Sequence, residues 1–248
     1  MTWRFLIGPV ILVLVWTIVT SFGLVRPLFL PAPLNVLSSL YVLLAEGPLW
    51  SDIVATLYRT IAAFSLAALF GLLLGVPLGV SREFYDASEF VLDFSRSMPS
   101  PAIIPLAMLL FGLGDLSRIA VATFTCTLVN AIQIAYAVRF IPRNRIMAAR
   151  LAGAKGAFLI RHVLIPSVVP GIVAGWRITL SLSLIIIVVT EMFIGTQAGL
   201  GMRIYDYHMM FRSADMYATI LVLGLIGYTL NKVIELSEQR FVHWRGRL

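Results

Sequence analysis

The residue types that usually carry catalysis are few and scattered in this sequence. Lys155 follows Ala154 and Lys232 follows Asn231, whereas a phosphate-binding P-loop has glycine directly before its lysine. The three histidines lie too far apart in sequence for a metal cluster, and the G-x-S-x-G motif of serine hydrolases is absent. The sequence therefore favours a protein that is not an enzyme, and we expect this chain to bind no cofactor of its own.

Five polar side chains lie in otherwise apolar stretches, where they could line a path for a solute or only hydrogen-bond between helices. They are Asn130, Gln133, Arg177, Ser181 and Glu191. Arg177 is the one charge that we place well inside such a stretch, and a charge at a bilayer centre costs roughly 2.5–3.5 kcal/mol on insertion scales. Two interpretations of Arg177 follow: it attracts anions along the path, or it pairs with a carboxylate or a backbone carbonyl of another helix.

The elements that must position these side chains are long apolar helices. Of the 248 residues, 60% are hydrophobic and 12% are charged, which is more apolar surface than one soluble core of this size can hide. A bilayer is the natural solvent for the excess, and a spanning helix needs about 20 mostly apolar residues. We predict an all-α polytopic membrane protein, a single domain over residues 1–248. Its six predicted spans are Phe5–Val25, Ile61–Val80, Pro101–Gly114, Ala120–Ala137, Val168–Val189 and Tyr217–Leu230. The third is short and begins with a proline, so it could be tilted, broken or extended by its flanks.

Charge predicts how these spans are oriented. No acidic residue lies between Asp115 and Glu191, yet six basic residues separate the fourth and fifth spans: Arg139, Arg143, Arg145, Arg150, Lys155 and Arg161. Short loops rich in lysine and arginine stay in the cytoplasm. Both termini are then cytoplasmic, in agreement with Arg4 at one end and with Arg245 and Arg247 at the other. Since the basic residues flank spans and form no single basic face, we expect no nucleic-acid partner.

Glycine spacing predicts close packing between spans. Gly71, Gly75 and Gly79 recur every four residues in the second span, and Gly171 and Gly175 repeat the spacing in the fifth. Residues four apart share one helix face, so each set lets another helix approach closely. We assign these glycines to packing, with no chemistry of their own.

The basic loop has the pattern of two short helices joined by a turn. Asn144 can cap a helix over Arg145–Ala152, and Gly153 is suited to end it. A second helix is predicted over Ala157–Ile165 and is closed by Pro166. A basic loop that only fixes topology would explain the charge but not this spacing.

The loop resembles the signature loop of permease subunits of binding-protein-dependent ATP-binding-cassette (ABC) importers. That signature reads Glu-Ala-Ala, three residues, Gly, nine residues and Ile-x-Leu-Pro. Ala148, Ala149, Gly153 and the segment 163–166 match it in order, whereas Met147 replaces the glutamate. The resemblance implies that the loop, about residues 142–166, is a coupling helix seated in a groove of an ATPase subunit. Its implied contact residues are Met147, Ala148, Ala149, Gly153, Lys155, Val163, Ile165 and Pro166.

Three further segments resemble one branch of that family, the permeases for nitrate, sulfonate, taurine, bicarbonate and related small solutes. They are LPAPLNVLSSL at 30–40, RSMPSPAIIPLAMLLFGLGDLSRI at 96–119 and VVTEMFIGTQAGLG at 188–201. The resemblance covers nearly everything after residue 28, and the loop and these three segments follow one another in the right order. The resemblance implies a type I importer permease fold and import of a small anion.

The resemblance also implies partners and a location. A permease of this kind works in the bacterial inner membrane with two ATPase subunits that hold ATP and Mg²⁺, a second permease copy or paralogue, and an external solute-binding protein. Two other classes stay open. A secondary transporter or channel would work without an ATPase, although a secondary transporter needs ion-coupling residues and usually internal repeats. A membrane-embedded enzyme would need a clustered acid, base or metal site.

Overall fold

The computed structural model describes residues 7–241, with side chains described through residue 238. Within this range the chain forms helices and no strand, which confirms the predicted all-α class. The helices are α1 (Ile7–Ser21), α2 (Pro33–Ala45), α3 (Leu49–Val80), α4 (Arg82–Ser97), α5 (Ser100–Phe111), α6 (Asp115–Arg139), α7 (Arg143–Leu151), α8 (Gly156–Leu159), α9 (Ile165–Phe193), α10 (Leu200–Met209) and α11 (Ser213–Phe241).

Four helical segments of the described range are long and apolar enough to cross a bilayer. They are Leu49–Val80, Asp115–Arg139, Gly156–Phe193 and Ser213–Glu238, and they contain the second, fourth, fifth and sixth predicted spans. The second span starts twelve residues earlier than predicted, because α3 begins at Leu49. Its first turns carry Asp52 and Arg59, and these charges are tolerated there because both are buried against protein.

The other two predicted spans differ from the prediction. The third is α5, which has 12 residues and meets α4 at a bend of 94°. A helix of 12 residues is about 18 Å long, less than the roughly 30 Å hydrocarbon core, so α5 crosses only if α4 and α5 form one bent span. The first is the 15-residue α1. By length and composition the described residues hold four or five spans where we predicted six. Arg4, Arg245 and Arg247, which supported the placement of the termini, lie outside the described residues.

The bend has a local cause in the sequence MPSP. Met98 precedes Pro99, and the residue before a proline disfavours the helical conformation. Met98 accordingly has ψ +124° and Pro99 has ψ +125°, so the backbone is extended at both positions. Helix α5 then starts at Ser100, with Pro101 in its first turn, where no intrahelical N–H is needed.

The glycine spacing brings α3, α6 and α9 into close contact, as predicted. A Cβ atom at Gly75 would lie 2.6 Å from the carbonyl oxygen of Ala131, and one at Gly171 would lie 2.7 Å from the Cβ of Ala137. Gly175 packs in the same way against Gln133 on α6. Helix α6 therefore packs between the glycine faces of α3 and α9, and these three helices form the centre of the bundle.

The predicted orientation can be tested by cysteine labelling. Lys155 and Gln197 are exposed at opposite ends of the helical segment Gly156–Phe193, and the native Cys126 is fully buried. In a Cys126→Ala background, we expect Lys155→Cys to react with a membrane-impermeant maleimide only from the cytoplasmic side, and Gln197→Cys only from the outside. Buried Thr179→Cys is the control that should label from neither side. Labelling of both exposed positions from one side would refute this orientation.

Candidate functional site

The basic loop ends α7 in a left-handed glycine turn. Gly153 has φ +88°, its N–H donates to the carbonyl of Arg150 at 3.0 Å, and the N–H of Ala154 donates to the carbonyl of Ala149 at 2.9 Å. This pair of bonds is the Schellman motif, in which glycine is favoured because it has no Cβ to strain. Ala154 is buried beneath the turn. The prediction that Gly153 ends this helix is confirmed.

Helix α7 exposes both apolar and basic side chains. Met147 is 67% exposed and Leu151 is 91% exposed. Ala148 and Gly153 are exposed beside them, while Ala149 is half-buried. Exposed Arg143, Arg150 and Lys155 surround this surface. An exposed apolar group ringed by charge is typical of a contact surface for another protein.

The predicted end of the second loop helix at Pro166 is wrong. The helix continues through Pro166 into α9, so the helical segment runs unbroken from Gly156 to Phe193. Residues Ile160–Leu164 form a π-helical stretch, in which the N–H of Ile165 bonds to the carbonyl of Ile160. A wider turn there accommodates the ring of Pro166, which would otherwise clash with the carbonyl four residues earlier. Of the other residues assigned to coupling, Val163 is half-buried and Ile165 is 52% exposed.

At the opposite end of the bundle, a buried ion pair joins α3 to α9. Nη1 of Arg59 lies 2.6 Å from Oε1 of Glu191, and their side chains are 5% and 0% exposed. The Thr56 hydroxyl lies 3.0 Å from both carboxylate oxygens, and the N–H of Gly201 donates to Oε2 at 2.9 Å. The carboxylate of Glu191 is thereby surrounded by donors.

A second arginine extends this network to α6. Asp115 accepts from Arg59 at 2.8 Å and from Arg118 at 2.7 Å. Nη2 of Arg118 also donates to the carbonyls of Ile194 and Gly195, in the turn after α9. The two guanidinium groups thus fix the beginning of α6 against the end of α9.

Asp52 ties α10 to the same end of the bundle. Its carboxylate accepts from the N–H of Gly199 at 2.9 Å and from Nε of Arg203 at 2.7 Å. The hydrogen bonds to Asp52 raise the pKa of Arg203 above its ordinary value, so this arginine stays charged. We call the connected residues the outer network, after the side of the membrane on which the predicted orientation places them: Asp52, Thr56, Arg59, Asp115, Arg118, Glu191 and Arg203.

The predicted pathway residues do not form one site. Glu191 belongs to the outer network. Asn130 is fully buried, donates to the carbonyl of Ala67 at 3.1 Å and packs against Gly71 of α3. Gln133 packs against Gly175 of α9. The structure places these two amides between helices at the centre of the bundle.

Arg177 and Ser181 form a separate group on the side of α9 that faces α11. Nη2 of Arg177 lies 3.4 Å from Oε2 of Glu235, and the Arg177 side chain is 43% exposed. The Ser181 hydroxyl exchanges hydrogen bonds with the amide of Asn231. Arg177 therefore has the protein partner that one of the two interpretations expected. A long pair with this exposure also leaves part of the guanidinium uncovered by the described residues.

Comparison with known proteins places the chain in a family. A model of the family described as the binding-protein-dependent transport system inner membrane component matches residues 67–243. The chain belongs to this family. The permease is 28% identical over 243 residues to the taurine transport system permease protein TauC of Escherichia coli, covering 96% of this chain and 88% of that protein. Over 246 residues it is 28% identical to the bicarbonate transport system permease protein CmpB of Synechococcus elongatus, covering 94% and 84%.

Solved structures share the permease fold. An inward-facing structure of the MetNI methionine ABC transporter matches with a TM-score of 0.63 and 24% identity, covering 80% of this chain and 98% of that one. An amino acid ABC transporter with histidines matches with a TM-score of 0.64 and 17% identity, covering 81% and 98%. At these identities the likeness concerns the fold alone, and it confirms the type I importer permease architecture. The permease is a multi-pass membrane protein.

Most of the outer network was missed by reasoning from the sequence, which identified only Glu191. The available signal was the spacing of Asp52, Thr56 and Arg59, which lie four and three residues apart and share one face of α3. Polar residues on one face of an otherwise apolar helix indicate a buried polar partner. Their partners on α6, α9 and α10 are distant in sequence, so the spacing could not identify them.

The outer network predicts a specific stability defect in the permease. Glu191→Gln keeps the side-chain shape and removes the charge that compensates buried Arg59. Breaking a buried ion pair from one side costs about 3–5 kcal/mol, so we expect a clear drop in the thermal unfolding temperature of the detergent-purified permease. The control is Asp93→Asn, which breaks the exposed pair with Arg96 and should change stability by less than about 1 kcal/mol. Equal unfolding temperatures for the two variants would show that the network does not stabilise the fold.

Proposed function

We propose that this permease is the translocation subunit of an ATP-driven importer, with α7 as the element that couples it to an ATPase. The observation that carries this proposal is the exposed surface of α7, where Met147 and Leu151 project among basic side chains beside the rigid turn at Gly153. Such a surface suits insertion into a groove that has apolar walls and an acidic rim. The proposed contact residues are those named in the sequence analysis.

The family description and the location of α7 support a specific set of partners. Two ATPase subunits would bind ATP and Mg²⁺ at the cytoplasmic face, a second permease would complete the translocation path, and an external binding protein would deliver the solute. In this arrangement the termini are cytoplasmic, and the outer network lies at the external face. The family name itself describes dependence on a binding protein.

We propose small oxyanions as the solute class. The relatives carry names for taurine, aliphatic sulfonate and bicarbonate transport, and each of these solutes has an anionic oxygen group. Half-exposed Arg177 could supply positive potential along the path. The direct test is to isolate the binding protein that associates with the permease and to measure its affinity for taurine, alkanesulfonates, bicarbonate and nitrate. Binding of neutral sugars or peptides alone would refute the class.

The proposed coupling role is tested at Gly153. A Cβ at this position would meet no atom within 4 Å, so a substitution strains only the backbone. Aspartate tolerates the left-handed conformation better than alanine does, so a purely structural turn would accept Gly153→Asp at least as well as Gly153→Ala. If α7 docks on the ATPase, Gly153→Asp adds a charge that must be desolvated at the contact. We therefore expect Gly153→Asp to reduce binding-protein-stimulated ATP hydrolysis more strongly, with normal membrane insertion.

Gly23 offers a matched control for this experiment. It also occupies a Schellman turn, at the end of α1, with φ +65°, and a Cβ added there would meet no atom within 4 Å. Gly23→Asp should leave stimulated hydrolysis close to that of Gly23→Ala. In the same vesicles, Met147→Glu restores the carboxylate of the family signature and should support uptake. Unchanged ATP hydrolysis and uptake in Gly153→Asp would refute the coupling role and indicate that the basic loop only sets the membrane topology.

A paired substitution separates the two roles of Arg177. If Arg177 serves only as an ion-pair partner of Glu235, which also pairs with Lys232 at 2.6 Å, then Glu235→Gln should impair the permease at least as much as Arg177→Gln. If Arg177 attracts anions, Arg177→Gln should slow uptake of the anion in reconstituted vesicles while Glu235→Gln does not. We expect the second pattern, with basal ATP hydrolysis unchanged in both variants. Equal effects on uptake and on thermal stability would favour the structural role.

A further inference from the structure

A polar cavity of about 550 Å³ lies at the end of the bundle that carries α7. It opens between the junction of α3 with α4 and the junction of α6 with α7. Its charged lining consists of Arg82, Asp86, Arg139 and Arg143, and Val80 and Val138 contribute apolar walls. Three guanidinium groups and one carboxylate give this lining a net charge of about +2 at neutral pH.

The three arginines of this cavity differ in the contacts that their side chains make. Arg82 makes a long 3.6 Å pair with Asp86. The guanidinium of Arg139 stacks over the ring of Tyr85, with Cζ 4.4 Å from the ring centroid. The side chains of Arg139 and Arg143 make no hydrogen bond or ion pair with any described residue. Stacking orients the face of a guanidinium and leaves the N–H groups at its edge available, which is the arrangement that binds phosphate oxygens in a bidentate manner.

We propose that this cavity binds a phosphate group, supplied by the headgroup of an anionic phospholipid or by a free phosphate ion. The proposed orientation places the cavity at the cytoplasmic interface, where lipid phosphates lie, and its apolar walls continue along α3 and α6. Arg143 is the first residue of α7. Occupation of the cavity would therefore tie the start of α7 to the α3–α4 junction. If these arginines only fixed the membrane topology, neither the stacking of Arg139 on Tyr85 nor a cavity shared by three arginines would be needed.

Native mass spectrometry of the detergent-purified full chain tests the site without any ATPase, so its outcome is independent of the proposed coupling role. The chain is mixed with phosphatidylglycerol or with phosphatidylcholine. We expect preferential retention of phosphatidylglycerol, and about a tenfold loss of that retention in Arg139→Gln/Arg143→Gln, since each charge-assisted contact contributes appreciably. The control Arg96→Gln/Arg161→Gln also removes two positive charges, but from outside the cavity, so this variant should retain the lipid.

A second variant distinguishes loss of the binding site from a folding defect in Arg139→Gln/Arg143→Gln. Val80 is 73% exposed, so Val80→Trp can fill the cavity mouth without disturbing the core or any charge. It should reduce phosphatidylglycerol retention as well. Equal retention of phosphatidylglycerol in wild type, the double arginine variant and Val80→Trp would overturn a lipid site. A loss of retention in Arg96→Gln/Arg161→Gln as large as in the double arginine variant would also overturn it.

The source of the phosphate is decided by a second measurement. Wild type and the double arginine variant are placed in phosphatidylcholine nanodiscs and heated with and without inorganic phosphate. If inorganic phosphate raises the unfolding temperature of wild type but not of the variant, and the mass spectra show no preference for phosphatidylglycerol, the cavity is a free phosphate site. Absence of both effects refutes the proposal.

Discussion

The buried ion pair between Arg59 and Glu191 is the interaction on which the outer half of this permease depends. Removing a carboxylate from water costs several kcal/mol, and a single cation offsets that cost only with additional hydrogen bonds. Here Thr56 and the N–H of Gly201 supply them, and Asp115 pairs with both Arg59 and Arg118. Because these groups come from α3, α6, α9 and α10, satisfying the two carboxylates of Glu191 and Asp115 fixes the positions of the four helices together.

Different interactions stabilise the two ends of the bundle. The end that carries the outer network is held by paired charges, most of them buried, and the backbone carbonyls after α9 accept hydrogen bonds from Arg118. The end with α7 exposes Met147 and Leu151 and relies on two backbone hydrogen bonds at Gly153. The helical segment Gly156–Phe193 joins the two ends without interruption. The π-helical stretch of this segment lies near α7, at the end opposite Glu191.

Some parts of this structure could be read from short stretches of sequence. The apolar composition predicted membrane helices, and the four-residue glycine spacing predicted that α3 and α9 each pack closely against another helix, which the structure identifies as α6. The turn at Gly153 followed from the position of glycine after a short helical pattern. The break before α5 was predicted only in part: the proline-led span of residues 101–114 was expected to be tilted, broken or extended by its flanks, but the bend against α4 was not located. Likewise, Pro166 was expected to end a helix, whereas a π-helical stretch lets the helix continue.

The sequence by itself determined the helical class, the membrane environment and the left-handed turn, because these depend on transfer free energies and backbone preferences of residues close together in the chain. Only the tertiary structure decided which charges neutralise one another. Arg59 lies 132 residues before Glu191, and Asp52 lies 151 residues before Arg203. The free energy of such a buried charge depends on the groups that folding places around it, so its role is fixed by contacts that no local pattern contains.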